Sequence, residues 1–353
     1  MKKLIGILLA VAGVTVTHAA PVYNVVDLGA LGGFQSYSYG INDDNQVVGF
    51  TKPGFGIEQR AFIHSGGNMT DVAPSGAVMS ALYRINNHGQ AVGYDYRSNS
   101  YQNAILYDNG NMVDLRSALG GTNSSATDIN DFGQIVGATF NSIGYGAQAF
   151  VYSNGVKTNL GTLGGSSSGA SGINHNGQIV GTSSVAGDTA NHAFLYSNGF
   201  MMDLGTLGGL GSRAAAINDS GQIVGNSQLT GNLSTHAFLY SNGNMIDLGT
   251  LGGNFSGAHD INNSGQIVGF SYTANSFQRG FLYDDGIMHE LSSLIDPLSG
   301  WIIENAFGIN SHGHISATGY KHGVGSRALL LEYIAPTPDE DIPPVDEDTP
   351  PNE

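Results

Sequence analysis

The chain of 353 residues contains no Cys, a single Trp, and only 12 Lys and Arg against 28 Asp and Glu. Without Cys there are no disulfides, no thiolate metal sites and no cysteine nucleophile. The net charge is −16 and no basic run follows the N-terminus. That argues against a nucleic-acid partner, because phosphate recognition rests on clustered Lys and Arg. Apolar runs are short, and none reaches the roughly 20 residues needed to span a bilayer. Charged residues are equally scarce at 11%, whereas hydrophobic ones make up 41%, enough apolar mass for a sizeable core. What the chain has in excess is glycine. Its 53 residues, about twice the usual share, ask for many turns.

The two ends differ from the body. Lys2-Lys3, an apolar run from Leu4 to Val16 and Thr17-His18-Ala19 follow the pattern of a secretory signal peptide, with cleavage expected after Ala19. Export to the periplasm or the medium follows, with no stable membrane span left afterwards. Pro336 to Glu353 combines repeated Pro with seven carboxylates and no base, so a solvated tail is expected. The leader carries +2 and the tail −7, which leaves −11 on the body.

Between them lies an internal repeat. Ile-Asn followed three residues later by Gly recurs at Ile41, Ile85, Ile129, Ile173, Ile217, Ile261 and Ile309, at intervals of 44 and finally 48 residues. The unit is clearest in copy 4, where four short strands are expected: Ser168 to Ile173, Gly177 to Gly181, His192 to Tyr196 and Phe200 to Leu204. Asn-x-x-Gly suits the turn between the first two, and Ser-Asn-Gly the turn between the last two. Copy 7 supplies only three strands, and Tyr23 to Leu28 offers the missing fourth at the start of the mature chain. The expected fold is all-β: a seven-bladed β-propeller over 20–335, four antiparallel strands per blade, closed by the N-terminal strand pairing into the last blade. A β-solenoid is the competing architecture, but solenoids need caps and would not leave complementary halves at the two ends.

His192-Ala193-Phe194, His236-Ala237-Phe238 and the strings Ile-Asn-x-x-Gly-Gln-Ile-Val-Gly and Asp-Leu-Gly-Thr-Leu-Gly-Gly resemble the HAF-repeat family over essentially all of 23–334. The resemblance implies an exported bacterial repeat protein and carries no catalytic residues with it. Copies 1, 2 and 7 depart from the pattern, with Arg60, Asn103 and Arg327 in place of the His. The lone Trp separates the chain from propellers built on repeated Trp.

Formal catalytic motifs dissolve into the repeat. Gly165 to Gly169 spells G-S-S-S-G, yet no helix follows to form a nucleophile elbow, and Ser212 and Ser256 share the Ser168 column. The Asn-Asp-x-Gly turns offer too few carboxylates for calcium. His192 and His236 are read as structural hydrogen-bonding residues, so no metal and no cofactor is expected. Tyr107, Tyr152, Tyr196, Tyr240 and Tyr283 share one column of the third strand and are read as core.

Columns that differ between copies are more informative, because the scaffold does not dictate them. After Val-Gly on strand two stand Phe50, Tyr94, Ala138, Thr182, Asn226 and Phe270, with Tyr320 assigned to copy 7. The following loops add Phe55, Tyr96, Tyr101, Phe140, Tyr145 and Phe277. These suggest an aromatic crescent that binds a carbohydrate or a protein partner; otherwise the rings merely cover sheet edges. On the innermost strand, Arg84, Asp128, His259 and Asp260 are channel-side polar candidates, with Arg84 and Asp128 as a possible neutralising pair. The expected function is a non-catalytic exported binding module. The alternatives are a polymer-acting hydrolase or lyase using the channel-side groups, or a surface scaffold.

Overall fold

The computed structural model describes residues 22–33, 35–54, 56–97, 101–120, 123–140 and 146–335. The leader, the Pro-rich tail, Phe55 and Tyr145 lie outside the described residues. Within them, the chain forms 28 strands and three short 3-10 turns. The strands pair into five four-stranded sheets and one of eight strands, the latter made of two four-stranded groups joined by a single parallel bridge between Thr235 and Phe255. Each group is an antiparallel meander of the kind that forms one blade of a propeller.

Copy 4 shows how its sequence makes these elements. Gly164–Ile173, Ile179–Val185, Asn191–Ser197 and Phe200–Asp203 are its four strands, the first longer at its start than the repeat alone suggests. Asn198 and Gly199 both take positive φ, +53° and +84°, which is the requirement of a tight type I′ hairpin. The fourth strand is mostly exposed and the second mostly buried, so the sheet runs from a covered inner region to a solvated rim.

The core lies between copies rather than within them. Val180, Ala193 and Leu204 of copy 4 pack with Ala214, Ile217, Ile223 and Phe238 of copy 5. Phe62, Phe150, Phe194, Phe238 and Phe281, one column of the third strand, are fully buried. The tyrosines of that strand pack half-buried on the same clusters, as at Tyr196 and Tyr240. One cluster joins Val47 and Phe62 of copy 1 to Ala328 and Leu330 of copy 7. The N-terminal strand Val22–Asp27 pairs antiparallel with Gly325–Ile334, from Val22 opposite Ile334 to Asp27 opposite Leu329.

Two sets of polar contacts repeat the same step from copy to copy. Asn174 donates through Nδ2 to Gln178 Oε1 at 2.8 Å and to the next copy at Asn218 O at 3.0 Å. The same donation links Asn42, Asn86, Asn130, Asn218 and Asn262 each to the following Asn carbonyl, and Asn310 to Asn42 O at 3.1 Å. Ser168 Oγ accepts from Ala149 N–H of the preceding copy and donates to Gly161 O; Ser36 accepts likewise from Ala328 N–H. Ser168, the last serine of the G-S-S-S-G string, is therefore a tie between sheets, while the central Ser167 shares a hydrogen bond of 2.9 Å with the Ser184 hydroxyl.

Candidate ligand-binding site

Every first strand carries a β-bulge at the same place, two residues before the Ile of Ile-Asn. The register slips between Ser38 and Gly40, Leu82 and Arg84, Ala126 and Asp128, Ala170 and Gly172, Ala214 and Ala216, Ala258 and Asp260, and Ala306 and Gly308. A bulge leaves one residue unpaired and re-aims its side chain. The residues so placed, in chain order, are Tyr39, Tyr83, Thr127, Ser171, Ala215, His259 and Phe307, and all seven line one cavity of about 730 Å³. The bulge also explains the Val-Gly glycine. A Cβ on Gly181 would lie 2.1 Å from Gly169 O, and one on Gly225 1.9 Å from Arg213 O.

The cavity has two unlike walls. Tyr39 meets Tyr83 and Phe307 edge to face at 5.2 and 5.1 Å, Phe307 stacks on His259 at 4.9 Å, and His259 meets Phe270 at 5.5 Å. Tyr83 continues to Tyr94 and Tyr96, and Phe270 to Tyr272 and Phe255. This aromatic arc comes from copies 6, 7, 1 and 2. Copies 3 to 5 contribute Arg213 beside the smaller Thr127, Ser171, Ala215, Ala138, Thr182 and Asn226, with Phe140 the one ring on that side among the described residues. Small side chains there leave the open volume that the aromatic wall faces.

The sequence-derived candidates divide accordingly. Phe270 lines the cavity. Tyr94 and Tyr96 extend the arc, and their hydroxyls donate to Gln59 and Gln102. Tyr101 is 44% exposed. Phe277 is exposed, with Arg279 over its ring at 5.3 Å. Phe50 does not present a binding face: it is 7% exposed, stacked on Tyr37 at 4.9 Å and against Tyr39. Tyr320 does not belong to its assigned column. Ala317 pairs with Ala306 and Thr318 with Asn305, so the residue equivalent to Phe50 is Thr318, and Tyr320 lies two residues further along opposite Ile302.

The channel-side groups are committed to the scaffold. Asp128 accepts from Ile129 N–H and, across to copy 4, from Ile173 N–H, both at 2.9 Å. Burial pushes its carboxyl up to about 6. Asp260 accepts from Ile309 N–H of copy 7, and burial raises it as well. Arg84 does not pair with Asp128; it spans the channel to Asp260 Oδ2 at 3.5 Å and to the carbonyls of Phe307 and His259 at 2.9 and 3.0 Å. His259, held to about 4 by burial, is neutral at physiological pH and donates through Nδ1 to Ala306 O. His192 and His236 pair within their own sheets with Asp203 and Asp247, the carboxylates that open the Asp-Leu-Gly-Thr-Leu-Gly-Gly strings.

Residue-by-residue alternation did not single out Tyr39, Tyr83, Phe307 or Arg213. The signal was present in columns that change type between copies: Tyr39 and Phe307 where Ser171 and Ala215 stand elsewhere, and Arg213 where Gly169 and Gly257 stand.

The opposite mouth is formed by the Asn-x-x-Gly turns and is acidic. Asp43, Asn87, Asp131, His175, Asp219, Asn263 and Ser311 stand there side by side. His175 bridges Asp131 and Asp219 at 2.9 and 3.0 Å. Among the described residues no group of three or more His, Cys, Asp or Glu has the geometry of a metal site.

The fold defined by these sheets is a β-propeller, and comparison with solved structures agrees. The chain is similar to the β-propeller domain of the trilobed protease from Pyrococcus furiosus, with a TM-score of 0.54 and 10% identity over 89% of this chain and 99% of that one. It is also similar to an acylaminoacyl peptidase from Pyrococcus horikoshii, with a TM-score of 0.53 and 12% identity over 83% of this chain and 52% of that one, about half its length. At such identities the likeness is one of fold. No family model and no curated protein matches the chain.

Proposed function

We propose that this chain is an exported seven-bladed β-propeller of the HAF-repeat type that binds a saccharide in the mouth of its channel, without chemistry. The carrying observation is the asymmetry of the 730 Å³ cavity, with an aromatic arc on one side and a wall of small and hydroxyl side chains on the other. That volume lies within the roughly 300–1,000 Å³ of small-molecule sites, and a stacking surface facing hydrogen-bonding groups suits a sugar ring, with C–H groups on one face and hydroxyls at its edge. Closure into a ring is supported by the pairing of Val22–Asp27 with copy 7, by the cluster shared between copies 7 and 1, and by the Asn310 to Asn42 step. Export is supported by the charged, apolar and small-residue order of residues 1 to 19.

The experiment is retention of the purified protein on a panel of immobilised polysaccharides, scored also for new reducing ends. Retention is expected, weakened at least tenfold in Phe270→Ala with its melting temperature preserved. Absence of retention on every glycan would overturn the saccharide reading, and release of reducing ends would make the protein an enzyme instead. N-terminal sequencing of the exported product is expected to begin at Ala20.

A further inference from the structure

The charged residues of this acidic protein are distributed unevenly about the channel. Among the described residues no Asp or Glu lines the 730 Å³ cavity or the two smaller cavities beside it, of about 280 and 620 Å³. The ionisable groups with charge or basic nitrogen on its wall are Arg84, Arg213 and His259. The carboxylates of the turn regions gather at the other mouth. An anion entering the cavity therefore meets a wall without carboxylates on a body that repels it elsewhere.

Arg84 is held by Asp260 and two carbonyls, as described above, and His259 is neutral. Arg213 is different. It lies opposite Asn226 on the first strand of copy 5, where the equivalent residues of the other copies are Tyr37, Ala81, Ser125, Gly169, Gly257 and Asn305. Its side chain is exposed and enters no hydrogen bond or ion pair among the described residues, whereas Arg60, Arg97 and Arg279 each hold a carboxylate. It is thus an unspent guanidinium on the cavity wall, at the boundary where the small wall of copy 5 meets Phe270 of copy 6.

We propose that the site selects an acidic saccharide, a chain of uronic acid units, with one carboxylate gripped by Arg213 and the adjoining ring lying toward Phe270. This rests on the saccharide-binding reading above. A guanidinium presents two parallel N–H donors that match one carboxylate. The amide of Asn226 and the hydroxyls of Thr182 and Ser171 on the same wall offer partners to sugar hydroxyls.

The test is titration calorimetry of the purified protein with a galacturonate oligosaccharide, its methyl ester and a neutral glucan oligosaccharide, repeated with Arg213→Gln and Arg213→Lys. The acid form is expected to bind at least tenfold more tightly than its ester. Arg213→Gln brings the acid down to the affinity of the ester, Arg213→Lys retains part of the preference, and added salt weakens only the acid. Since Arg213 is exposed, both variants are expected to melt with the wild type. Equal binding of acid and ester by the wild type, or an acid preference that survives in Arg213→Gln, overturns the inference. If the neutral glucan binds as well as the acid, the inference fails while the saccharide reading stands; if none of the three binds, both fail.

Discussion

Gly225 sits opposite the bulge of copy 5 with its Cα almost against the carbonyl of Arg213, and an added Cβ would come within 1.9 Å of that oxygen. Both groups are backbone, so neither can swing aside. Gly225→Ala is therefore expected to cost about 1–3 kcal/mol, while Gly54→Ala, with nothing within 4 Å of the new Cβ, stays within about 0.5 kcal/mol of wild type. Urea melts decide between them, and equal midpoints for the two variants would contradict the close approach. His175 makes a second test at this scale. The side-chain hydrogen bond to Asp131 leads the causes that raise its pKa above 6.5. Asp131 and Asp219 are lowered below 3.8, because contacts that include His175 outweigh the opposing effect of burial. A raised base stabilises fully below its ordinary value and loses that contribution as pH climbs through the raised one. Lowered acids stabilise above their ordinary value and lose it as pH falls. The melting-temperature gap between wild type and His175→Gln should be widest near pH 5, narrowing toward pH 9 and toward pH 3. A gap independent of pH would show that the bridge contributes nothing electrostatic.

The turn between strands one and two is the element that joins neighbouring sheets. Asn174 Oδ1 accepts from Asn176 and Gln178 N–H, while Nδ2 donates to Gln178 Oε1 and to Asn218 O of the next copy. Asn174→Ala strands two turn amides and breaks the link to Asn218 O, which keeps only its bond from Gly221 N–H. A loss of roughly 2–4 kcal/mol is expected, read as a lower urea midpoint at unchanged slope; a change below 0.5 kcal/mol would show that water replaces the amide without loss. This element was legible in the sequence because Asn, Gly and Gln must recur wherever the same turn recurs. The bulge beside it was not. Alternation assigns Tyr39 to one face of a strand, and only an extra unpaired residue turns it into the channel with Tyr83 and Phe307. Nor was the partner of Arg84, since Asp260 lies 176 positions away and meets it only because copies 2 and 6 face each other across the channel. The misplacement of Tyr320 has a similar origin. Thr318-Gly319 imitates Val-Gly, whereas the ladder puts Ala317 where that glycine belongs.

For the whole molecule, the decisive contact joins the first strand to the last copy. Tyr23 is 2% exposed, its N–H donates to Leu294 O at 2.9 Å, and the strand covers Leu329 and Leu331, both fully buried. Deleting 22–28 while keeping the leader would leave that sheet with an open row of N–H and C=O groups flanked by apolar side chains, a template for pairing with another chain. The expected result is a melting temperature lower by roughly 10 °C or more, with concentration-dependent association. A synthetic peptide of residues 22–28 in excess should reverse both, because it binds the folded sheet and not the unfolded chain. A truncated protein that melts with the full-length one and stays monomeric would mean that the N-terminal strand decorates the propeller rather than closing it. The saccharide site proposed above rests on the closure proposed with it. Its aromatic arc runs from copy 6 through copies 7, 1 and 2, so the seam held by residues 22–28 passes through the middle of the proposed binding wall. Loss of the strand should therefore abolish glycan retention even where the remaining sheets stay folded.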